Sequence, residues 1–352
     1  MILNELQISN LRNIQHARLS LHPNLNIISG LNGGGKTTFL EALYLLSTGH
    51  SFRTREVVSL ISQGQEALTV FAKTNDDQRI SIQKSLHFPT MAKLNGEACT
   101  SSSELASFLP SQIFYQDIFQ LIDAGPGVRR TVLDWGLFHV EHNYLSLWKD
   151  YRRALKQRNS LLKQRARAQL FVPWNQLMAE LAIQLDKMRE HYVSHLIHEF
   201  NAIVSVLSDL DCSLQYFKGW DKKGEGRDLS DILTASYDKD MNRHYGPHQA
   251  DLIIVSNEYK VKQYLSRGQQ KIILFALKFA QSRLVSKSCL YLIDDLCSEL
   301  DTDHISRLLD YITNLKGQFF ITTKLKEEIL SHLKPNTYSL TQLRKGQIEV
   351  SV

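Results

Sequence analysis

Residues 30 to 38 read Gly30-Leu31-Asn32-Gly33-Gly34-Gly35-Lys36-Thr37-Thr38, a stretch that fits G-x-x-x-x-G-K-[ST] and has the chemistry of a triphosphate cradle. Its glycines let successive backbone N–H groups turn inward on phosphate oxygens. Lys36 adds a point charge for the β and γ oxygens, which makes it both a binding and a catalytic residue, and Thr37 offers a hydroxyl to Mg²⁺. A second chemical group lies far along the chain. The apolar run Cys289-Leu290-Tyr291-Leu292-Ile293 ends in Asp294-Asp295, where a triphosphate-hydrolysing head holds its metal with a carboxylate. Asp294 is read as the Mg²⁺ ligand, directly or through water, and Asp295 as the base that positions an attacking water.

These residues need elements to position them. Leu25-Asn26-Ile27-Ile28 is suited to a buried strand entering the cradle, and Phe39, Leu40, Leu43 and Leu46 recur at helical spacing after it. Upstream, residues 2 to 8 and 17 to 21 read as strands with Arg12-Asn13 in the turn between them. Leu68–Lys73, Arg79–Ser85 and Met91–Leu94 read as further short strands, and Asn95-Gly96 is a hairpin turn signal. After Asp294, a helix around His304 to Leu315 leads to the apolar strand Gln318–Thr322, a βαβ step. Lys345-Gly346 predicts a final hairpin between Tyr338–Leu343 and Gln347–Val350.

Helical periodicity dominates after Gly125-Pro126-Gly127. Tyr144, Trp148, Tyr151, Leu155 and Leu162 form one apolar stripe, and Leu177, Leu181, Leu185, Met188, Tyr192, Leu196, Phe200 and Ile203 form another beyond Pro173. Two antiparallel helices with a short joint make a stubby arm. Lys222-Lys223-Gly224-Glu225-Gly226-Arg227 reads as a polar linker. The expected division is residues 1–124 and 236–352 as two parts of one head, with 125–235 as an inserted helical domain.

The net charge of +5 is unevenly distributed. Between Tyr144 and Ala168 lie Lys149, Arg152, Arg153, Lys156, Arg158, Lys163, Arg165 and Arg167 against Asp150 alone, so this segment is +7 and the remainder of the chain is −2. Such concentration points to a polyanion partner, with a solvated face of an amphipathic hairpin as the alternative, and Lys149, Arg152, Arg153 and Lys156 are the candidate contacts, which become DNA contacts in the context of an ATPase that binds DNA. With 43% hydrophobic residues the chain can bury a substantial core. No apolar run reaches the roughly 20 residues of a membrane span, no basic segment precedes an apolar one at the start, and a cytoplasmic location is expected. Cys99, Cys212, Cys289 and Cys297 show no C-x-x-C spacing and are expected to be reduced thiols.

Further patterns resemble the ABC-type ATPases. Leu265-Ser266-Arg267-Gly268-Gln269-Gln270-Lys271 resembles the ABC signature motif, and Ser298-Glu299-Leu300-Asp301 resembles the D-loop. Gln116, in Phe114-Tyr115-Gln116-Asp117, stands where such heads carry a Mg²⁺-sensing glutamine. The resemblance implies an α/β fold, a mixed sheet with helices, binding ATP and Mg²⁺. It also implies two copies sandwiching two nucleotides, with Ser266, Arg267, Gly268, Gln269 and Asp301 of one completing the site of the other. Most ABC heads have Glu where this chain has Asp295, and many have a switch histidine where it has Thr323. The shorter carboxylate suits slow, switch-like turnover.

Within that class the chain resembles the bacterial RecF family of recombination and gap-repair proteins along nearly its whole length. The resemblance rests on Asn10-Leu11-Arg12-Asn13, the cradle followed by Glu41 to Arg53, Gly127 to Asp134, Tyr245 to Asp251, the signature and the Asp294-Asp295 strand. It adds Arg12 and Asn13 to the nucleotide-binding set. It implies an ATP-controlled clamp on double-stranded DNA near single-strand gaps that works with RecR and RecO in RecA loading, replication and the SOS response, as a weak, DNA-stimulated ATPase. His50 and Gln249 depart from the family's usual arginines, and Gln116-Asp117 from a common Pro-Glu. Three rivals fit less well. A transporter's energy-coupling subunit lacks a reason for the basic hairpin between Lys36 and Ser266, a related nuclease needs an added acidic metal-binding domain, and an SMC-like tether needs a longer arm.

Overall fold

The structure is a computed structural model that describes residues 1–221, 224–235, 245–257 and 259–351. Lys222 and Lys223 of the expected linker, and the expected boundary at 236, lie outside the described residues. The chain divides into two compact units, one comprising Met1–Ile118, Arg267–Phe275 and Ser286–Val352, the other Phe119–Ser266 and Ala276–Val285. These limits do not coincide with the expected division at 125 and 235.

The first unit contains two six-stranded sheets among the described residues. One is antiparallel, in the order Ile14–Ser20, Leu3–Leu11, Ala67–Thr74, Arg79–Ser85, Met91–Leu94 and Glu97–Ala98. It alternates as a one-faced sheet must: Leu68, Val70 and Ala72 are buried while their neighbours are half-buried. The other runs Gln347–Ser351, Ser339–Arg344, Leu25–Ser29, Gln318–Thr323, Leu290–Ile293 and Ser111–Phe114, parallel except at the Gln347–Ser351 edge. Every residue of Leu25–Ser29, Leu290–Ile293 and Gln318–Thr323 is buried, the pattern of parallel strands covered on both faces.

The helix Lys36–Thr48 packs against both sheets, and ten of its thirteen residues are buried, so it is enclosed nearly all round rather than along one stripe. Phe39, Leu40, Leu43 and Leu46 join Leu6, Ile8, Val70 and Ile82 of the antiparallel sheet and Leu292 and Phe320 of the parallel one in a single core. A buried glutamine also links the two sheets. Gln318 accepts from Leu3 N at 2.9 Å and donates to Leu3 O at 2.7 Å and His22 O at 2.9 Å, satisfying an amide that burial would otherwise penalise.

The second unit is built on the helices Pro126–Val140, Tyr144–Lys163 and Val172–Leu207 and a three-stranded antiparallel sheet, Tyr259–Lys260, Asp251–Ser256 and Cys212–Phe217. The helices Tyr144–Lys163 and Val172–Leu207 pack together. Their buried lines differ from the expected stripes. Leu177 is exposed, and Met178, Ala179 and Ala182 are buried in the first turns instead. Arg158 is a correction to the basic face: it is 6% exposed, donates to Asn175 Oδ1 at 2.8 Å and lies over the Phe171 ring. Arg189 is buried as well, donating to Pro247 O at 2.7 Å and Tyr144 Oη at 3.0 Å beneath the Trp148 ring. Charged side chains enter these lines because fixed acceptors meet them there.

Candidate functional site

Leu25–Ser29, Gln318–Thr323, Leu290–Ile293 and Ser111–Phe114 run parallel, so their carboxyl ends open on one edge of the sheet, the place where α/β sheets hold ligands. The cradle follows the first strand, Thr322 and Thr323 end the second, Asp294-Asp295 follow the third and Gln116 follows the fourth. Residues scattered over the sequence thereby meet at one edge.

Lys36, 9% exposed, donates from Nζ to Gly30 O at 2.7 Å and Leu31 O at 3.0 Å, curled back over its own loop. Burial pushes its ammonium below the usual lysine range, while the carboxylates of Asp295 and Asp294 act in the opposite direction. Thr37 Oγ1 donates to Asp294, at 3.2 Å from Oδ1 and 3.1 Å from Oδ2, and Thr322 Oγ1 donates to the same carboxylate at 2.7 Å. Burial raises the Asp294 carboxyl above the usual range against these hydrogen bonds. Asp295 turns away in the left-handed region, φ 52°, its N–H donating to Thr322 Oγ1 at 2.8 Å and its carboxylate 3.6 Å from Lys324 Nζ. Thr322 was not singled out from the sequence. Its neighbour Thr323 instead bonds within its own loop, to Leu325.

The loop fits a phosphate chain. A Cβ on Gly34 would stand 2.9 Å from both Leu31 O and Leu343 O, so only glycine lets the loop turn this tightly, while a Cβ on Gly33 would meet nothing within 4 Å, leaving open space beside the loop. Asn13 braces the loop, donating to Gly33 O at 3.1 Å and accepting from Thr38 Oγ1 at 3.1 Å. Arg12 is held differently: its guanidinium forks onto buried Glu41 at 2.5 and 2.9 Å and reaches Ser59 O at 3.2 Å. Ser51 Oγ also donates to Glu41. The tip of the C-terminal hairpin is a support that sequence reasoning missed. Gly346 N donates to Gly34 O at 2.9 Å, and Gly346 has φ 80°, with a Cβ there driven into Asn13 O. The Lys345-Gly346 turn signal was visible, but its docking on the cradle was not.

The remaining predicted residues are placed as follows. Gln116 is exposed at the start of the 3₁₀ turn Gln116–Phe119. Asp301 caps the helix Thr302–Asn314, accepting from His304 N at 2.8 Å. Ser266 is exposed at the end of the second unit's long segment, and Arg267, Gly268 and Gln269 open the helix Arg267–Arg283 in the first unit. Arg267 donates to Gln270 Oε1 at 3.0 Å. On the second unit, Lys149, Arg152, Arg153 and Lys156 are all exposed on the helix Tyr144–Lys163, and Arg153 pairs with Asp150 at 3.1 Å.

This fold and site define an ABC-type ATPase head, an α/β sheet with the phosphate loop and the strand-end carboxylates at one edge. The model of the RecF/RecN/SMC N terminal domain matches residues 2–349. The chain is 38% identical over 347 residues to a protein of Cellvibrio japonicus named DNA replication and repair protein RecF, covering 94% of this chain and 93% of that one. A Shewanella protein of the same name is 35% identical, with 99% of both chains covered. This chain belongs to the RecF family. A solved structure of the recombination mediator protein RecF-ATPrS in RecFOR pathway superposes with a TM-score of 0.82 at 25% identity, covering 98% of this chain and 97% of that one. The SMC head bound to the C-winged helix domain of ScpA shares the fold, at a TM-score of 0.65, 17% identity, and coverage of 100% and 98%.

Proposed function

We propose that the protein is an ATP-switched DNA clamp of recombinational repair, binding double-stranded DNA near single-strand gaps and assisting RecA loading with RecO and RecR in replication and the SOS response. The observation that carries the ATP part of this reading is the convergence of Thr37, Thr322 and Asp294 beside the Lys36 loop. The family carries the DNA part, and the exposed cations of Tyr144–Lys163 support it. The organisation proposed is a head of residues 1–124 and 236–352 with an inserted arm of 125–235, working in the cytoplasm.

Residues Gly30 to Thr38 would wrap the phosphates, and Lys36 would exchange its carbonyl partners for phosphate oxygens. Thr37 and Asp294, with Gln116, are the residues that would hold Mg²⁺, which supplies charge neutralisation on the β and γ oxygens. Asp295 orients the attacking water, and its short side chain favours slow hydrolysis. Asn13 keeps the cradle in shape, and Arg12, fixed on Glu41, borders it. Ser266, Arg267, Gly268 and Gln269, with Asp301, would close the site of a second copy, so ATP would drive dimerisation. The test is DNA binding with and without ATP for the intact protein and for Lys36→Arg. ATP-dependent binding by the former alone is expected. Equal binding under all four conditions would overturn the switch.

A further inference from the structure

Lys271 has no part in the reading above, yet its ammonium is among the most enclosed charges of the first unit, 6% exposed. Its Nζ lies 2.7 Å from Ser298 O, 2.9 Å from Ser298 Oγ, 3.1 Å from Leu296 O and 3.2 Å from Asp295 O. Three N–H donors thus face four oxygens, all on the loop that follows the Asp294-Asp295 strand. Ser298 Oγ in turn donates to Asp295 O at 2.8 Å. One turn earlier on the same helix, a Cβ on Gly268 would stand 2.5 Å from Glu299 O, so helix and loop touch at backbone distance.

Asp295 and Glu299 both adopt left-handed backbone, at φ 52° and 65°. That conformation costs a residue with a Cβ about 1 to 2 kcal/mol and persists only where its surroundings over-determine it. At Asp295 the determinants are hydrogen bonds: Thr322 Oγ1 holds the N–H, and Lys271 and Ser298 hold the carbonyl. Both backbone ends of the residue are clamped, so the direction in which its side chain leaves the backbone is set by Thr322, Lys271 and Ser298.

We propose that Lys271 is a positioning residue: it latches the first turns of the signature helix to the loop after the strand-end carboxylates and so sets the aim of Asp295. This rests on the nucleotide reading above and adds to it a link, within one chain, between the signature turn and the residue assigned to orient water. A hydrophobic side chain of similar length would take the Lys271 donor from Leu296 O and Ser298 O and leave Asp295 O held by Ser298 alone, freeing Asp295 to relax from its left-handed conformation.

The experiment is single-turnover ATP hydrolysis and ATP affinity for the full-length protein, Lys271→Met and Ser298→Ala, with thermal unfolding of each. Misaim of a reacting group by about 1 Å costs roughly 10²-fold, so Lys271→Met should hydrolyse roughly 10²-fold more slowly. Its ATP affinity should stay within about threefold of the parent's, because the interaction lost is not one made to bound nucleotide. Ser298→Ala, which keeps Lys271 and its three carbonyls, should fall between, and it decides the matter if Lys271→Met fails to fold. Parental hydrolysis rates in both variants would overturn the proposal, as would equal losses of rate and affinity. Failure of the parent protein to bind ATP would overturn the nucleotide reading itself, a distinct result.

Discussion

Thr37 Oγ1 stands 3.1 Å from Asp294 Oδ2, joining residues 257 positions apart at the carboxyl edge of the parallel sheet. Thr322 Oγ1 reaches the same carboxylate from the neighbouring strand at 2.7 Å. Two hydroxyls on one half-buried carboxylate make a compact oxygen cluster, the donor type that a hard divalent cation takes.

The cluster has a cost that pH exposes. Burial raises the Asp294 carboxyl above the 3.8 of a free aspartate, so the folded protein holds this proton more tightly than the unfolded chain. Its stabilising contribution is complete below the unfolded-chain pKa and is lost as pH rises through the folded one. At neutral pH the ionised carboxylate therefore opposes folding. Asp294→Asn is expected to unfold at a higher temperature than the parent at neutral pH, with the gain shrinking as pH falls towards that of a free carboxyl. The same variant should lose roughly 10²-fold or more in hydrolysis. A melting series across pH, paired with phosphate release, checks both, and an equal melting shift at every pH would contradict the assignment.

Lys36 offers a simpler test. Its Nζ now satisfies Gly30 O and Leu31 O, and a phosphate would compete for the same donors. A charge-assisted hydrogen bond contributes about 1.5 to 3 kcal/mol, so Lys36→Met should weaken ATP binding by roughly 10- to 100-fold. Titration with a fluorescent ATP analogue measures this directly. Unchanged affinity would remove Lys36 from the nucleotide site.

Much of this site was legible because its signals are local. The cradle, its entering strand and the Asp294-Asp295 strand end each follow from a few adjacent residues, and the parallel strands read as apolar runs. Three things were not. Thr322 and Thr323 are equally polar neighbours, and only the pleat of Gln318–Thr323 decides which hydroxyl reaches Asp294. Arg158 sits in a basic run and looks like surface until Asn175, on the next helix, supplies its acceptor. Lys271 reads as the tail of the signature motif, and its carbonyl partners at 295 to 298 carry no side-chain signature. Leu177 shows a fourth limit: a heptad-like count cannot choose between Leu177 and Met178 when both are apolar.

The C-terminal hairpin yields a prediction about the cradle from outside it. Gly346 holds φ 80° and donates to Gly34 O, and any side chain there would run into Asn13 O. Gly346→Ala should cost about 1 to 3 kcal/mol of stability from backbone strain and should weaken ATP binding, because Asn13 and Gly34 shift together. Denaturant unfolding and nucleotide titration report the two effects. Intact affinity in a destabilised variant would show that the hairpin supports the fold without shaping the loop.

The basic helix separates into surface and core, and DNA binding should respect the division. Arg152, Arg153 and Lys156 are exposed, and the pairing of Arg153 with Asp150 is a surface ion pair of small worth. Replacing all three with glutamine should lower the slope of log affinity against log salt by up to about 2.7, since each neutralised phosphate contributes about 0.9. Arg158, two residues beyond Lys156 and so on another face of the helix, is buried between Asn175 Oδ1 and Leu233 O. Arg158→Ala should leave that slope unchanged while destabilising the helical unit by about 2 to 4 kcal/mol, through acceptors stranded in the interior. Salt titrations of duplex binding at matched folded fractions distinguish the two variants. A slope that responds to Arg158 and not to the exposed triple would place the DNA contact somewhere other than this face.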